Sequence, residues 1–164
     1  MMNQKFILDA CCGGRTFWFD KEHPNTLYVD KHPRPKGTCK HRPNFCCDPD
    51  MVVDFTNMPF EDKSFKLVVF DPPHLLELGK NSVMRIKYGS LRTETWPYEI
   101  GKGFEECWRV LDDFGVLVFK WNEAQIPIKK VLSLFSVSPL FGHPTSKHGK
   151  TKWFVFMKIP GVDE

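Results

Sequence analysis

Four apolar runs in the first half of the chain each end in a carboxylate, and the last is followed by two prolines. The runs are Lys5-Phe6-Ile7-Leu8-Asp9, Leu27-Tyr28-Val29-Asp30, Met51-Val52-Val53-Asp54 and Leu67-Val68-Val69-Phe70-Asp71. Each reads as a buried parallel strand with an acid at its carboxyl end, where open α/β sheets bind their ligands. The first run continues as Asp9-Ala10-Cys11-Cys12-Gly13-Gly14, a turn whose glycines let a ligand approach the backbone. Asp30 follows roughly 20 residues later, the separation at which an acid accepts hydrogen bonds from ribose hydroxyls. That is the logic of a nucleoside cofactor. It is not a dinucleotide fingerprint, because the G-x-G-x-x-G that seats a pyrophosphate is missing. Asp54 with Phe55 suits adenine, the carboxylate for the exocyclic amine and the aromatic for the ring face. In Asp71-Pro72-Pro73-His74 the prolines keep the chain extended and remove two backbone donors, leaving carbonyl acceptors beside a carboxylate. Such a cluster fits an incoming amino group, held by its N–H bonds while its lone pair is aimed at an electrophile.

Other residues offer weaker chemistry. Cys39, His41, Cys46 and Cys47 fall within nine residues and could supply a tetrahedral zinc site. Their C-x-H-x4-C-C spacing is not that of a standard finger, so free loop thiols are expected and no metal is assigned. Cys11 and Cys12 read as small packing residues. Lys120-Trp121-Asn122 closes a fifth apolar run near the expected pocket, and Trp96 or Tyr98 could reach a target base. Two basic stretches could meet phosphates: Lys31, His32, Arg34, Lys36, Lys40, His41 and Arg42, and then Lys147, His148, Lys150 and Lys152.

The elements that must position these groups follow from periodicity. The chain has 164 residues, 41% hydrophobic and 26% charged, with a formal charge of +3, which fits one domain (1–164) and excludes global disorder. No apolar run approaches the ~20 residues needed to span a bilayer, and no export signal is visible, so a cytoplasmic protein with reduced cysteines is expected. Short strands alternate with helical or loop segments. Residues 32–49, with four prolines, and 75–98, with Gly79, Gly89 and Pro97, read as long functional loops. Ile100, Phe104, Trp108 and Leu111 predict an amphipathic helix ended by Asp112-Asp113 and Gly115. Val116–Lys120 is a fifth strand, and Pro127 opens a helix through Phe135. Phe135–Phe141 and Trp153–Ile159 then form an antiparallel hairpin. The expected architecture is a Rossmann-like α/β domain, a mostly parallel seven-stranded sheet with helices on both faces.

These motifs together resemble class I (Rossmann-like) S-adenosylmethionine-dependent methyltransferases, and most of all small phage- or prophage-borne members related to amino-methylating nucleic-acid enzymes. The resemblance implies that Asp9, Ala10, Cys11, Cys12, Gly13 and Gly14 form the methionine-binding loop, that Asp30 is the ribose acid and that Asp54 and Phe55 contact adenine. It also implies that Asp71, Pro72, Pro73 and His74 are the catalytic tetrapeptide of enzymes that methylate exocyclic amino groups, with Asp71 bordering the cofactor as well. Two positions depart from the pattern. Cys11 and Arg15 stand where the usual loop has glycine, and His74 stands where an aromatic is usual. The implied activity is methyl transfer to a nucleobase amine, adenine in DNA before RNA, with S-adenosylmethionine as cofactor and no membrane partner. RNA, small-molecule or protein methylation, and a non-catalytic binding module, are the alternatives. With the core taking nearly the whole of the 164 residues, no separate target-recognition domain is expected, and neither recognition sequence nor oligomeric state follows from the residues.

Overall fold

A computed structural model describes residues 5–143 and 149–162. Its sheet is built from β1 (Ile7–Asp9), β2 (Thr26–Asp30), β3 (Met51–Val52), β4 (Phe65–Phe70), β5 (Leu111–Asn122), β6 (Phe141–Gly142) and β7 (Thr151–Met157). The seven strands lie in the order β3-β2-β1-β4-β5-β7-β6. The first five pair in parallel, and β7 pairs antiparallel with both β5 and β6. This is the mostly parallel sheet with an antiparallel end that the apolar runs predict. Chain order reverses between β1 and β4, so the carboxyl ends of β1, β2 and β4 open onto one crevice.

Three helices accompany the sheet: α1 (Val83–Tyr88), α2 (Trp96–Val110) and α3 (Ile128–Leu132). The apolar stripe of α2, Ile100, Phe104 and Cys107, is fully buried. Phe104 stacks on Phe135, just beyond α3, at 3.8 Å and meets Phe156 edge-on at 5.0 Å. Phe135 in turn touches Phe119 at 5.2 Å. Phe119 and Phe156 point to the same side of the sheet, so α2 and α3 share one face. Helices on both faces were expected; among the described residues the second face carries none. Its upper part is covered instead by the turn-rich segment 14–24, with Phe17 edge-on to Trp153 at 5.6 Å and Trp18 edge-on to Tyr28 at 5.1 Å. The physical reason is local: segments 10–25 and 31–50 lack a helical apolar period and are punctuated by Gly13, Gly14, Pro24 and four further prolines.

Boundaries moved where breakers were misread. Pro97 sits in the first turn of α2, where a missing N–H costs nothing, so the helix begins at Trp96 and the loop is shorter than 75–98. α1 lies inside that loop. Asp112–Gly115 do not simply end α2: β5 starts at Leu111, and its register jumps from Phe65↔Leu111 to Leu67↔Val116, making these four residues an outward excursion. The first arm of the terminal hairpin shrinks to β6, and Lys147 and His148 lie outside the described residues.

Candidate functional site

A cavity of about 780 Å³ opens at the carboxyl ends of β1, β2 and β4, within the size range of small-molecule sites. One wall is the glycine turn after β1. Ala10 N–H donates to Val69 O at 3.0 Å and Cys12 N–H to Val29 O at 2.9 Å, stitching the turn to both neighbouring strands. Gly13 adopts φ +49°, and a Cβ on Gly14 would fall 2.8 Å from the Phe45 ring, so both positions need glycine. Another wall is α1 and the residues after it. Gly89 ends α1 at φ +80° and sits so close to Pro73 that a Cβ would lie 2.9 Å from the ring. Leu91 bridges back to Leu75 and Glu77 by backbone hydrogen bonds of 2.8 and 3.0 Å, closing the segment on itself.

The sequence-predicted residues divide around this space. Cys11, Cys12, Gly13, Gly14, Asp30, Asp54, Phe55, Asp71, Pro72, Pro73 and His74 all line it. Asp9 and Ala10 are buried beneath the turn and are not part of the lining. Asp9 accepts from Trp18 Nε1 at 2.7 Å and from Cys11 N–H at 3.4 Å. Burial raises its pKa to about 7 against the lowering by Trp18, with the negative fields of Asp71 and Asp30 adding to the rise.

Asp30 turns one oxygen to Gly13 N–H at 3.0 Å and the other to His32 N–H at 2.8 Å. Each oxygen keeps a lone pair for a ligand. Asp54 pairs with Lys31 at 2.6 Å and caps its own turn by accepting from Thr56 N–H and Oγ1 at 3.0 and 2.7 Å. Burial pushes the Asp54 carboxyl up, but these bonds outweigh it and hold it below the usual value. The Lys31–Asp54 pair is solvent-exposed and so is worth little, which leaves Asp54 free to exchange partners. Phe55 meets Phe70 edge-on at 5.3 Å, which fixes its ring at the cavity wall.

Asp71 has a partner that residue spacing did not reveal. Lys120 Nζ lies 2.7 Å from Oδ2, in a pair that is 25% and 19% exposed. Burial raises the Asp71 pKa and Lys120 opposes the rise. Parallel register explains the meeting: Phe70 is opposite Phe119, so the next residue of each strand falls side by side. The cation also lies 5.3 Å from Phe17 and 5.6 Å from Trp153, two rings that help to hold it. His74 packs edge-on to Trp121 at 6.2 Å, and burial, then Lys120, keep its imidazole below its ordinary pKa.

Among the lesser candidates, Asn122 and Tyr98 line the cavity, Tyr98 being 69% exposed. Trp121 does not line it; it is 1% exposed and donates to Ile126 O within the core. Trp96 packs against the core at the start of α2. The residues missed outright are those of α1, chiefly Met84, Lys87 and Tyr88. Ser82, whose side chain accepts from Arg85 N–H, was the available signal of a helix start, but six residues between glycines show no periodicity.

The four ligands singled out around residues 39–47 do not assemble. Cys39 is buried, His41 is exposed, and neither they nor Cys46 belong to a cluster of ligating atoms among the described residues. Cys47 instead joins Cys12 and Asp30. No helix among the described residues is long and apolar enough to cross a membrane.

No protein-family model matches the chain, and no curated protein matches it. Solved structures do. The PH0226 protein of Pyrococcus horikoshii superposes with a TM-score of 0.58 over 93% of this chain and 81% of that one, at 16% identity. A geranyl diphosphate methyltransferase, solved with GPP and sinefungin, gives 0.54 over 93% and 70%, at 10% identity. The N-methyltransferase NodS of Bradyrhizobium japonicum gives 0.51 over 93% and 85%, at 14% identity. The fold is methyltransferase-like α/β.

Proposed function

We propose that the chain is an S-adenosylmethionine-dependent methyltransferase that acts on an exocyclic amino group of a nucleobase, with adenine in DNA the favoured target. The observation that carries this reading is the convergence of Asp30, Asp54 and Asp71 with the Gly13-Gly14 turn on one cavity at the switch point of a methyltransferase-like sheet. The residues present fit the cofactor. Gly13 and Gly14 leave a bare backbone, Asp30 keeps an open lone pair for a ribose hydroxyl, and Phe55 offers a fixed ring beside the readily exchanged carboxylate of Asp54.

When bound, S-adenosylmethionine supplies a methyl group activated by a sulfonium charge. Cys11 to Gly14 would hold its amino-acid end, Asp30 its ribose, and Asp54 with Phe55 its adenine. The target amine is held by acceptors: the Pro72 carbonyl takes one N–H and Asp71 Oδ1 takes the other. Lys120 occupies Oδ2, so the carboxylate is fixed in direction and its charged form is favoured against the pull of burial. The nitrogen lone pair would thereby be left free to react, and Asp71 Oδ1 would take the proton the amine sheds. His74, whose charged form is disfavoured by burial and then by Lys120, would present its ring to the target base. Lys31, His32 and Arg34 at the cavity, and the exposed basic residues that follow as far as Arg42, would meet the phosphates.

The test is transfer of labelled methyl from the cofactor to duplex DNA, single-stranded DNA, RNA and free nucleosides. Label is expected in DNA adenine, with Asp71→Asn slowing transfer by about 100-fold or more, the scale of losing an oriented polar contact in the transition state. Full activity in Asp71→Asn contradicts the role of Asp71, and label in RNA or nucleosides alone contradicts the DNA assignment.

A further inference from the structure

Cys12, Asp30 and Cys47 come from three separate segments, yet the two sulfurs and a carboxylate oxygen all lie within 4.8 Å of one another. Each is placed by backbone rather than by chance contact. Cys12 is tied to β2 by its N–H to Val29 O. Cys47 sits in a two-bond bridge with Arg34, at 2.8 and 2.9 Å, and Asp30 is held by the N–H groups of Gly13 and His32. Both cysteines are buried and Asp30 is half-buried. Lys31 and Lys120, two of the cations lining the cavity, are engaged by Asp54 and Asp71 and leave this cluster alone.

We propose that Cys12, Cys47 and Asp30 form a binding site for a thiophilic divalent cation, zinc in the first instance, with its fourth position open to the cavity. Zinc–sulfur bonds of about 2.3 Å and zinc–oxygen bonds of about 2.0–2.2 Å in a tetrahedron put the two sulfurs about 3.8 Å apart and each sulfur about 3.5 Å from the oxygen. The sulfurs therefore need to close in by no more than about 1 Å and each sulfur–oxygen pair by no more than about 1.3 Å. Two thiols and one carboxylate select zinc, or cobalt(II) and cadmium as probes, over magnesium and calcium, which prefer all-oxygen shells. Each thiol gives its proton to solvent as its sulfur bonds the ion, so binding releases two protons per ion. The ion would clip the glycine turn to residues 31–50, a segment held among the described residues without helix and with four prolines.

The site does not depend on the methyltransferase reading, and its test needs no cofactor. Metal-free full-length protein, kept reduced with a phosphine, is titrated with cobalt(II) and then with zinc. One ion per chain is expected, with thiolate-to-cobalt absorption that zinc abolishes and a melting temperature raised by zinc. Cys12→Ser and Cys47→Ser should lose the absorption, while Cys46→Ser and His41→Ala should keep it. Because a serine variant could fail to fold, X-ray absorption on the zinc-loaded wild type gives an independent reading, with two sulfur and two oxygen neighbours expected. Absence of stoichiometric binding, a shell with three or more sulfurs or with imidazole, or a Cys47→Ser protein that binds like wild type would each overturn the site.

Discussion

Asp9 and Asp71 are both strand-end acids pushed upward by burial, and only Asp71 has a cation in contact. Asp9, with a pKa of about 7, keeps its proton in the folded protein over a range where the unfolded chain, near 3.8, has already lost it. Folding therefore retains a proton between these values, and the Asp9 contribution falls as pH rises from about 4 to about 7, then levels off. His74 and His32, lowered by burial, slope the other way below about 6.5, so the clean comparison is with Asp9→Asn. Urea melts across pH 5 to 8 should show the variant gaining on the wild type, at no more than about 1.4 kcal/mol per pH unit. A difference that is flat in pH would contradict the assignment. For Asp71 the expectation is different. Lys120→Met leaves a mostly buried carboxylate unpaired and should cost about 1–3 kcal/mol in a denaturant melt, part of which Asp71→Asn in the same chain restores. A cycle with no coupling would show the 2.7 Å pair to be inert.

At the scale of elements, the strands were legible because β-branched runs ending in aspartate have only one reading in an open sheet, and α2 was legible from the spacing of Ile100, Phe104 and Trp108. What stayed hidden was non-local. Lys120 meets Asp71 through strand register, and Cys12 meets Asp30 and Cys47 through three segments that no spacing rule links. α1 is too short to carry a period, and Pro97 reads as a breaker until its place in the first turn is known. The packing of α2 on the sheet carries its own prediction. A Cβ at Gly103 would lie 2.6 Å from Phe55 and 2.7 Å from Phe70, both rings already locked edge-on. Gly103→Ala gains up to about 1 kcal/mol of helix propensity but overpacks a site that costs about 1–3 kcal/mol. A net fall in melting temperature is expected, together with weaker cofactor binding as Phe55 shifts. An unchanged protein would mean that α2 does not bear on the cavity wall as closely as this.

At the scale of the whole molecule, the basic residues available to meet a polyanionic substrate lie in loop. Residues 31–42 expose Lys31, Lys36, Lys40 and Arg42, and Lys31 lines the cavity. If nucleic acid is the substrate, log affinity should fall linearly with log salt, by about 0.7 per contacted phosphate for single strands and about 0.9 for duplex. Lys36→Gln, Lys40→Gln and Arg42→Gln together should flatten that slope, as read by fluorescence anisotropy, and a slope independent of the three changes would remove this segment from the interface. The cavity at the switch point is proposed to hold a nucleoside cofactor, and calorimetric titration of S-adenosylmethionine into chelator-treated protein tests that most directly. The account predicts one site per chain with a dissociation constant in the micromolar range, weakened about tenfold or more by Asp30→Ala. A folded wild-type protein that shows no binding at millimolar cofactor, or an Asp30→Ala variant that binds as well as the wild type, would contradict it.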